Sequence, residues 1–231
     1  MNPLQVAPNC INCSMACVFS RLTDTAIVGS LNKNVRDVTF YKGETIYKQQ
    51  SFVSQVVFIR EGLAKLVLEG TSGKNFIVRI YTSQDYLGLM QVFRKSESRY
   101  TVIALKDTRV CMIEINFFRE LLLKHIQMNE KLSVNYLEEI DILYQRLTSL
   151  GTKSIHGRFA DVLLYLLGDK LRTEEVYRYL SRKEIAEMAG MSVESMIRLF
   201  NEFKNDQIID ISNKNIQIKN QHIVETLSRV G

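Results

Sequence analysis

The pattern of apolar residues changes once along the chain, near residue 117, and this change restricts the folds open to it. Within Thr39–Ile113, short apolar or alternating segments are separated by single glycines such as Gly43 and Gly62. Alternation with turn residues about every ten positions is typical of a small all-β sandwich or roll, and we expect no helix there. The stretch Phe117–Leu150 lacks glycine and proline, which predicts a long helix. The sequence therefore indicates an α+β protein whose strands precede its helices.

The predicted long helix carries one regular apolar stripe, and Gly151 is expected to end the helix. Its members recur at gaps of three or four residues: Leu132, Tyr136, Ile140, Leu143, Leu147 and Leu150. Such spacing keeps the side chains on one face over several turns. The stripe could pack against the chain's own β domain or form the seam of a homodimer. The regularity of the spacing favours the dimer.

Length and composition exclude several classes of protein. With 231 residues, of which 46% are hydrophobic and 24% charged, the chain can bury a core in one large or two modest domains. We find no apolar run long enough to span a membrane and no signal peptide, which predicts a cytoplasmic protein. The three histidines, His125, His156 and His222, lie outside the β segments, and no catalytic motif appears. An enzyme is therefore not expected.

The last third of the chain predicts a winged helix-turn-helix. Ser181 and Glu184 have the spacing of a capping box that opens a first helix, and Gly190 ends that helix. Ser192 can cap a second helix. Alternating residues in Ile208–Ile218, with a polar centre, predict a β-hairpin. In this motif the second helix enters the major groove of DNA.

The second helix presents a surface that suits base recognition. Its outward residues are Val193, Glu194, Ile197, Arg198 and Asn201. Arg198 can form a forked pair with guanine, Glu194 can accept from cytosine, and the two aliphatic side chains can contact thymine methyls. Alternatively, Glu194 and Arg198 could form a surface ion pair. Phosphate contacts are expected from Arg182, Lys183, Ser192, Lys204 and Lys214. A signalling module that binds protein through its winged helix, without specific DNA readout, is the alternative function.

The order of β-roll, long helix and winged helix-turn-helix resembles the CRP/FNR family of bacterial transcription regulators over nearly the whole chain. The matching stretches are Gly43–Ile46, Glu61–Gly62, Gly157–Arg158 and Leu180–Arg198. The resemblance implies a cyclic-nucleotide-binding-like jelly roll and a homodimer that binds palindromic double-stranded DNA and contacts RNA polymerase. It implies four segments: a cysteine-containing segment at 1–25, a sensory roll at 26–116, a dimerisation helix at 117–151 and a DNA-binding domain at 152–231.

Within that family, the recognition helix is most similar to the FNR branch. Val193-Glu194, three further residues and Arg198 match the branch that reads half-sites containing TTGA. Ile197 stands where that branch has serine. The resemblance therefore implies TTGA-like half-sites, with a changed preference at the outer base.

The resemblance also bears on the effector, which we leave unidentified. Family members that bind cyclic AMP use Gly-Glu and Arg-Ser pairs in the roll and a Thr-Ser pair on the long helix. Here Gly88 and Arg99 match, but Leu89, Tyr100 and Leu143-Tyr144 replace the polar partners. Cyclic AMP is disfavoured, because its ribose hydroxyl would face an apolar leucine. A pocket formed by Gly88, Arg99 and Tyr100 remains the candidate effector site.

Four cysteines offer a different sensor. Oxygen sensors of the FNR branch hold a [4Fe-4S] cluster with three N-terminal cysteines and one in the roll, and Cys10, Cys13, Cys17 and Cys111 match that distribution. The gap between Cys13 and Cys17 is shorter than in those sensors. Four thiolates also suit zinc. A third alternative is that the thiols bind no metal.

Overall fold

The computed structural model describes residues 10, 13, 15, 17–21, 30, 31, 33–94, 96–212 and 215–231. Eight strands form the N-terminal roll: β1 Val35–Phe40, β2 Thr45–Tyr47, β3 Gln55–Glu61, β4 Ala64–Glu69, β5 Asn75–Tyr81, β6 Tyr86–Leu87, β7 Thr101–Ala104 and β8 Thr108–Glu114. They make two four-stranded sheets, ordered β1-β8-β3-β6 and β2-β7-β4-β5. The α+β class and the β-roll are confirmed.

A close backbone approach fixes the turn between β3 and β4. Gly62 has a φ of +119°, and a Cβ there would lie 2.5 Å from the Thr108 Cα atom. The Thr108 hydroxyl donates to the Leu63 carbonyl at 3.0 Å and accepts from the Leu63 N–H at 3.1 Å. Only glycine provides both the conformation and the space at this turn.

The expectation of no helix within the roll segment was wrong at two short turns, a 3₁₀ turn at Thr71–Gly73 and an α-helical turn at Gln91–Arg94. Helix α1 spans Gln91–Arg94, and its first turn is closed by the Val92 N–H, which donates to the Leu89 carbonyl at 3.1 Å. Val92 is fully buried. One turn is too short to show helical periodicity in the sequence, and here tertiary packing of the buried Val92 side chain contributes to its stability.

The predicted helix at 117–151 is two helices. Helix α2 spans Ile115–Lys124 and α3 spans Ile126–Thr152, with extended backbone at His125. The Glu114 carboxylate caps α2 by accepting from the Asn116 and Phe117 N–H groups at 3.0 and 2.7 Å. The break allows residues of both helices, among them Phe118 and Leu132, to bury in the core of the roll.

The C-terminal elements follow the predicted order. They are α4 Ile155–Leu167, α5 Asp169–Thr173, a 3₁₀ turn at Val176–Tyr179, α6 Arg182–Ala189, α7 Val193–Asn205, β9 Ile209–Ser212, β10 Asn215–Ile218 and α8 Gln221–Val230. Phe159, Phe200 and Phe203 are each at most 1% exposed and form the centre of this core. Helix α5, the 3₁₀ turn and helix α8 were not predicted from the sequence.

The chain divides into two compact units. The first contains residues 1–68 and 80–141, and the second contains residues 69–79 and 142–231. The second unit therefore includes the tip of the β4–β5 hairpin as well as the C-terminal helices. None of the helices in the described ranges combines the length and hydropathy needed to cross a bilayer.

Candidate nucleic-acid interface and sensor sites

Helices α6 and α7 form the predicted helix-turn-helix. The Ser181 N–H donates to the Glu184 carboxylate at 2.7 Å, and the Glu184 N–H donates to the Ser181 hydroxyl at 3.2 Å, so the capping box is formed. Gly190 ends α6 in the left-handed region with a φ of +58°. The Ser192 hydroxyl then caps α7 by accepting from the Ser195 N–H at 3.1 Å.

One face of α7 is fixed in the core of the second unit. Met196, Leu199, Phe200 and Phe203 are buried, and the Phe159 ring meets the Phe203 ring edge-on at 5.0 Å between centroids. These contacts determine the rotation of α7 about its axis. The opposite side of the helix therefore points outward.

The outward side carries the predicted base-reading residues. Glu194, Ile197, Arg198 and Asn201 are exposed, and Val193 is half-buried at the start of the helix. Within the described part of the chain, Arg198 has neither an ion pair nor a hydrogen bond, so the surface pair with Glu194 is not formed. Bonds from its own backbone N–H and from the Ser192 hydroxyl lower the pKa of Glu194. Its carboxylate is therefore a charged acceptor at neutral pH.

The predicted phosphate contacts have different surroundings. The Arg182 guanidinium lies over the Phe200 ring, 3.8 Å from its centroid, and Lys183 Nζ is 3.8 Å from a Glu187 carboxylate oxygen. Lys204 is exposed at the end of α7, whereas the Ser192 hydroxyl is engaged in the helix cap. Lys214 lies outside the described residues. Strands β9 and β10 pair antiparallel with Ile211 opposite Ile216 and form the predicted wing.

The exposed apolar face of α3 differs from the predicted seam. Leu132 is 1% exposed in the core of the roll, and the Tyr136 hydroxyl donates to the Leu89 carbonyl at 2.8 Å. Leu132 therefore packs in the chain's own roll, and its assignment to the seam was wrong. Tyr136 contacts the roll and is half-buried. The large apolar side chains of α3 that remain exposed are Ile126, Val134, Leu137, Ile140, Leu143, Tyr144, Leu147 and Leu150.

The chain's own tyrosine occupies the space beside Gly88, at the candidate effector site. Gly88 has a φ of +79°, and a Cβ there would lie 2.7 Å from the Tyr47 hydroxyl oxygen. That hydroxyl donates to the Gln55 carbonyl at 2.7 Å. Burial, with Tyr100 nearby, raises the pKa of Tyr47 well above its usual value. Tyr100 is buried while Arg99 is exposed.

All four cysteines line one small cavity of about 30 Å³ in the roll. Cys111 lies on the central strand β8, directly opposite Asp37 of β1 and Phe58 of β3. The Val18 N–H donates to the buried Tyr86 hydroxyl at 2.8 Å, which anchors the chain immediately after Cys17. The folded roll thus brings the N-terminal cysteines to Cys111.

The electrostatic surroundings of the cavity were not predicted. The buried Asp37 carboxylate accepts bonds from Arg60 and from Arg109, the latter at 2.7 and 2.9 Å. Burial is the largest cause that raises the pKa of Cys10 to about 11 and that of Cys111 to about 12, while the charge of Arg60 acts in the opposite direction. Among the residues described, no three His, Cys, Asp or Glu side chains converge on a point that would hold a single metal ion.

Two family models match the chain in tandem. A cyclic nucleotide-binding domain matches residues 37–125, and a Crp-like helix-turn-helix domain matches residues 157–227. Together they account for more than half of the chain and coincide with the roll and with the DNA-binding elements. The chain belongs to the CRP/FNR family of transcription regulators.

Individual relatives agree with this assignment. The CRP/FNR chain is 27% identical to the transcriptional regulatory protein btr of Bordetella pertussis, with 83% of this chain and 81% of the relative covered. It is 26% identical to the transcriptional activator protein Anr of Pseudomonas protegens, with 92% and 86% covered. The structure of FixK2 from Bradyrhizobium japonicum matches with a TM-score of 0.70 at 20% identity, covering 84% of this chain and 96% of that one.

Membership of the CRP/FNR family decides between the two functions that the sequence left open. The protein is a DNA-binding transcription regulator and not an enzyme, as predicted, and the alternative of a protein-binding signalling module is not supported. CRP/FNR regulators act as homodimers and contact RNA polymerase. These partners were also predicted.

Proposed function

We propose that this regulator reads a palindromic operator with TTGA-like half-sites through the outward face of α7. The observation that carries the proposal is the exposed Arg198 guanidinium, which has no partner among the described residues and lies one turn from the charged Glu194 carboxylate. A free guanidinium can fork onto guanine O6 and N7, and a carboxylate can accept from a cytosine amino group. Val193 and Ile197 supply apolar contacts for thymine methyls, and Asn201 extends the same face.

Phosphate contacts would fix the register of α7 in the groove. Lys183 and Lys204 are exposed beside the reading face, and Arg182, held over the Phe200 ring, has a restricted position from which to donate. Ser192 would contribute through its position at the helix start, and Lys214 through the wing. Such contacts carry affinity and salt dependence and do not read sequence.

The variant Arg198→Ala tests whether Arg198 recognises a base. We expect the variant to bind a TTGA-like palindrome about 10- to 100-fold more weakly, because one bidentate base contact is lost, and to bind random DNA nearly as well as the parent protein. Fluorescence anisotropy at fixed salt measures both affinities. Arg172→Ala removes an exposed arginine that pairs with Asp169 on α5 and should leave both unchanged. If Arg198→Ala lost the same affinity for both DNAs, Arg198 would contact phosphate and not a base.

We propose that the homodimer forms through the exposed stripe of α3. Leu137, Ile140, Tyr144 and Leu147 follow at gaps of three, four and three residues and are all exposed. This spacing keeps them on one face of the helix. A two-fold dimer presents two recognition helices to half-sites about 34 Å apart, one turn of DNA. We retain residues 26–116 as the sensory segment, residues 117–151 as the dimer segment and residues 152–231 as the DNA-binding segment.

We propose that Cys10, Cys13, Cys17 and Cys111 hold a [4Fe-4S] cluster, and that residues 1–25 serve to supply three of these ligands. Four thiols around a single cavity supply the number of ligands that such a cluster requires. The cavity of about 30 Å³ has room for about one water molecule, so the segment that carries the N-terminal cysteines would have to move outward to admit the cluster. When bound, the cluster supplies a redox-sensitive centre. The buried Tyr86 hydroxyl orients the chain at Cys17, and Arg60, anchored by Asp37, supplies positive charge near the thiolates.

Anaerobic purification tests the cluster. We expect a brown protein whose iron and sulfide contents approach four per chain, and a colourless protein for Cys111→Ala. Met112→Leu, a neighbouring change on the same strand, should keep the colour. A colourless, iron-free parent protein that still binds its operator would rule the cluster out.

The residues around Gly88 bear on the effector. The roll is not expected to take cyclic AMP, because Gly88, Tyr47 and Leu89 provide no carboxylate for a ribose hydroxyl. Gly88 and Tyr100 stay the candidate effector site, with Arg99 at the surface. A regulator that binds the chromosome and contacts RNA polymerase works where the DNA is, and we infer a cytoplasmic location.

A further inference from the structure

The second compact unit contains a cavity that neither the DNA-reading face nor the roll accounts for. It has a volume of about 580 Å³ and lies between the end of α3, the middle of α4 and the last turns of α8. Ile142 and Leu164 supply an apolar wall, and Arg146, Lys153 and Asp161 supply charges. Cavities of this size are typical of sites for small organic molecules.

Arg146 is a buried cation in the wall of this cavity, and one of its donors is unused. Its side chain is 7% exposed, its Nε donates to the Val78 carbonyl at 2.9 Å, and its guanidinium carbon lies 4.5 Å from the centre of the Tyr165 ring. The Nη2 atom is buried and has no hydrogen-bond partner among the described residues. A buried guanidinium nitrogen without an acceptor is costly, so an acceptor in the cavity would be stabilising.

The acidic group in the cavity wall does not fill this role. The Asp161 carboxylate accepts from Lys153 Nζ at 2.8 Å, from the Ser149 hydroxyl at 2.5 Å and from the Ser228 hydroxyl at 2.6 Å. All three of these bonds come from donors other than Arg146. Two cations and one anion line the cavity, which leaves one surplus positive charge in its wall.

We propose that this cavity binds a small organic anion, with a carboxylate or phosphate head on the Arg146 guanidinium and an apolar body against Ile142 and Leu164. A charged acceptor gives a short, charge-assisted hydrogen bond to a guanidinium. Such a ligand would tie the end of α3 to α4 and α8 across the connection at Lys153 and Ser154. The site goes beyond the proposed function, because that function uses the outward face of α7, the dimer stripe of α3 and the cysteines, and none of these includes Ile142, Arg146 or Leu164.

Thermal unfolding of the full-length protein tests the site. Sodium benzoate and sodium phosphate are titrated separately against sodium chloride at matched ionic strength and pH. We expect at least one of the two anions to raise the Tm saturably, by about 3 °C or more at saturation. If benzoate alone raises the Tm, the site takes a carboxylate with an apolar body. If phosphate raises it, the site takes a phosphate head. The absence of a saturable shift with either anion would overturn the proposal.

Three variants locate the binding. Arg146→Met should abolish the shift, whereas Arg229→Met, which removes an exposed arginine of α8, should retain it. Arg198→Ala should also retain it, because α7 is not part of the cavity. If the anion raised the Tm of Arg146→Met as much as that of the parent protein, the anion would bind elsewhere and the proposal would be contradicted. The same holds if the shift were lost only in Arg198→Ala. Circular dichroism checks that Arg146→Met is folded, and Lys153→Met, which should weaken the response, provides a second test.

Discussion

At the scale of single residues, helix caps and turns could be predicted from the sequence, whereas tertiary contacts could not. Ser181, Glu184, Gly190 and Ser192 could be assigned in advance because a helix cap depends on residues three positions apart. The outward direction of Arg198 followed from the helical period. The Phe200 ring beneath Arg182 could not be foreseen, because it depends on how α6 and α7 cross. The ion pairs of Asp37 join residues far apart in the chain, and only the paired strands reveal them.

Gly190→Ala should destabilise the protein more than an ordinary glycine replacement. Its φ of +58° is unfavourable for alanine, and the added Cβ would lie 2.4 Å from Leu150 Cδ2. We expect the free energy of unfolding to fall by about 2 kcal/mol, measured by chemical denaturation. About half of this loss comes from the backbone conformation and the rest from displacing the tip of the Leu150 side chain. Gly73→Ala is the matched control, because its φ is +72° with no atom within 4 Å of the new Cβ, and should cost about 1 kcal/mol. Equal losses would mean that Leu150 moves aside freely.

At the scale of elements, α3 shows why an apolar stripe alone does not identify a dimer face. The helix carries apolar residues on two sides, one covered by the roll and one exposed. Leu132 and Tyr136 belong to the first side, and Leu147 belongs to the second. Spacing in the sequence cannot distinguish the two sides. The break at His125 determines which side of α3 the roll covers. No glycine or proline near His125 indicates that break in the sequence.

Leu147→Glu should break the dimer. Each protomer would place a carboxylate in the apolar contact, at a position that is 69% exposed in the single chain and is expected to be covered by the partner. We expect the dimer dissociation constant to rise about 100-fold or more, measured by sedimentation equilibrium. Gln127→Glu adds the same charge at an exposed polar position of α3 and should leave the dimer intact. If Leu147→Glu remained dimeric at low micromolar concentration, the proposed stripe would not be the interface.

At the scale of the molecule, the order of the parts was predictable and their detailed grouping was not. A change from alternating to helical periodicity marks where the roll ends, and the winged helix-turn-helix has its own cap and turn residues. The tip of the β4–β5 hairpin nevertheless belongs to the second unit, with residues 142–231. No local pattern in Glu69–Arg79 indicates this. The proximity of the N-terminal cysteines to Cys111 also depends on contacts between distant parts of the chain. The sequence suggested it only through family resemblance.

Cyclic AMP should leave operator affinity unchanged, because the roll would have to bind the nucleotide before it could alter the DNA-binding helices. Leu89 is 3% exposed and its side chain offers no acceptor, and the Tyr47 hydroxyl adjoins Gly88. Anisotropy of a labelled TTGA-like palindrome, with and without saturating cyclic AMP, measures the effect. An increase in affinity of about tenfold or more would contradict the prediction, since coupling of that size requires differential binding of the nucleotide. Titration calorimetry without DNA separates failure to bind from binding without coupling, and we expect no heat of binding.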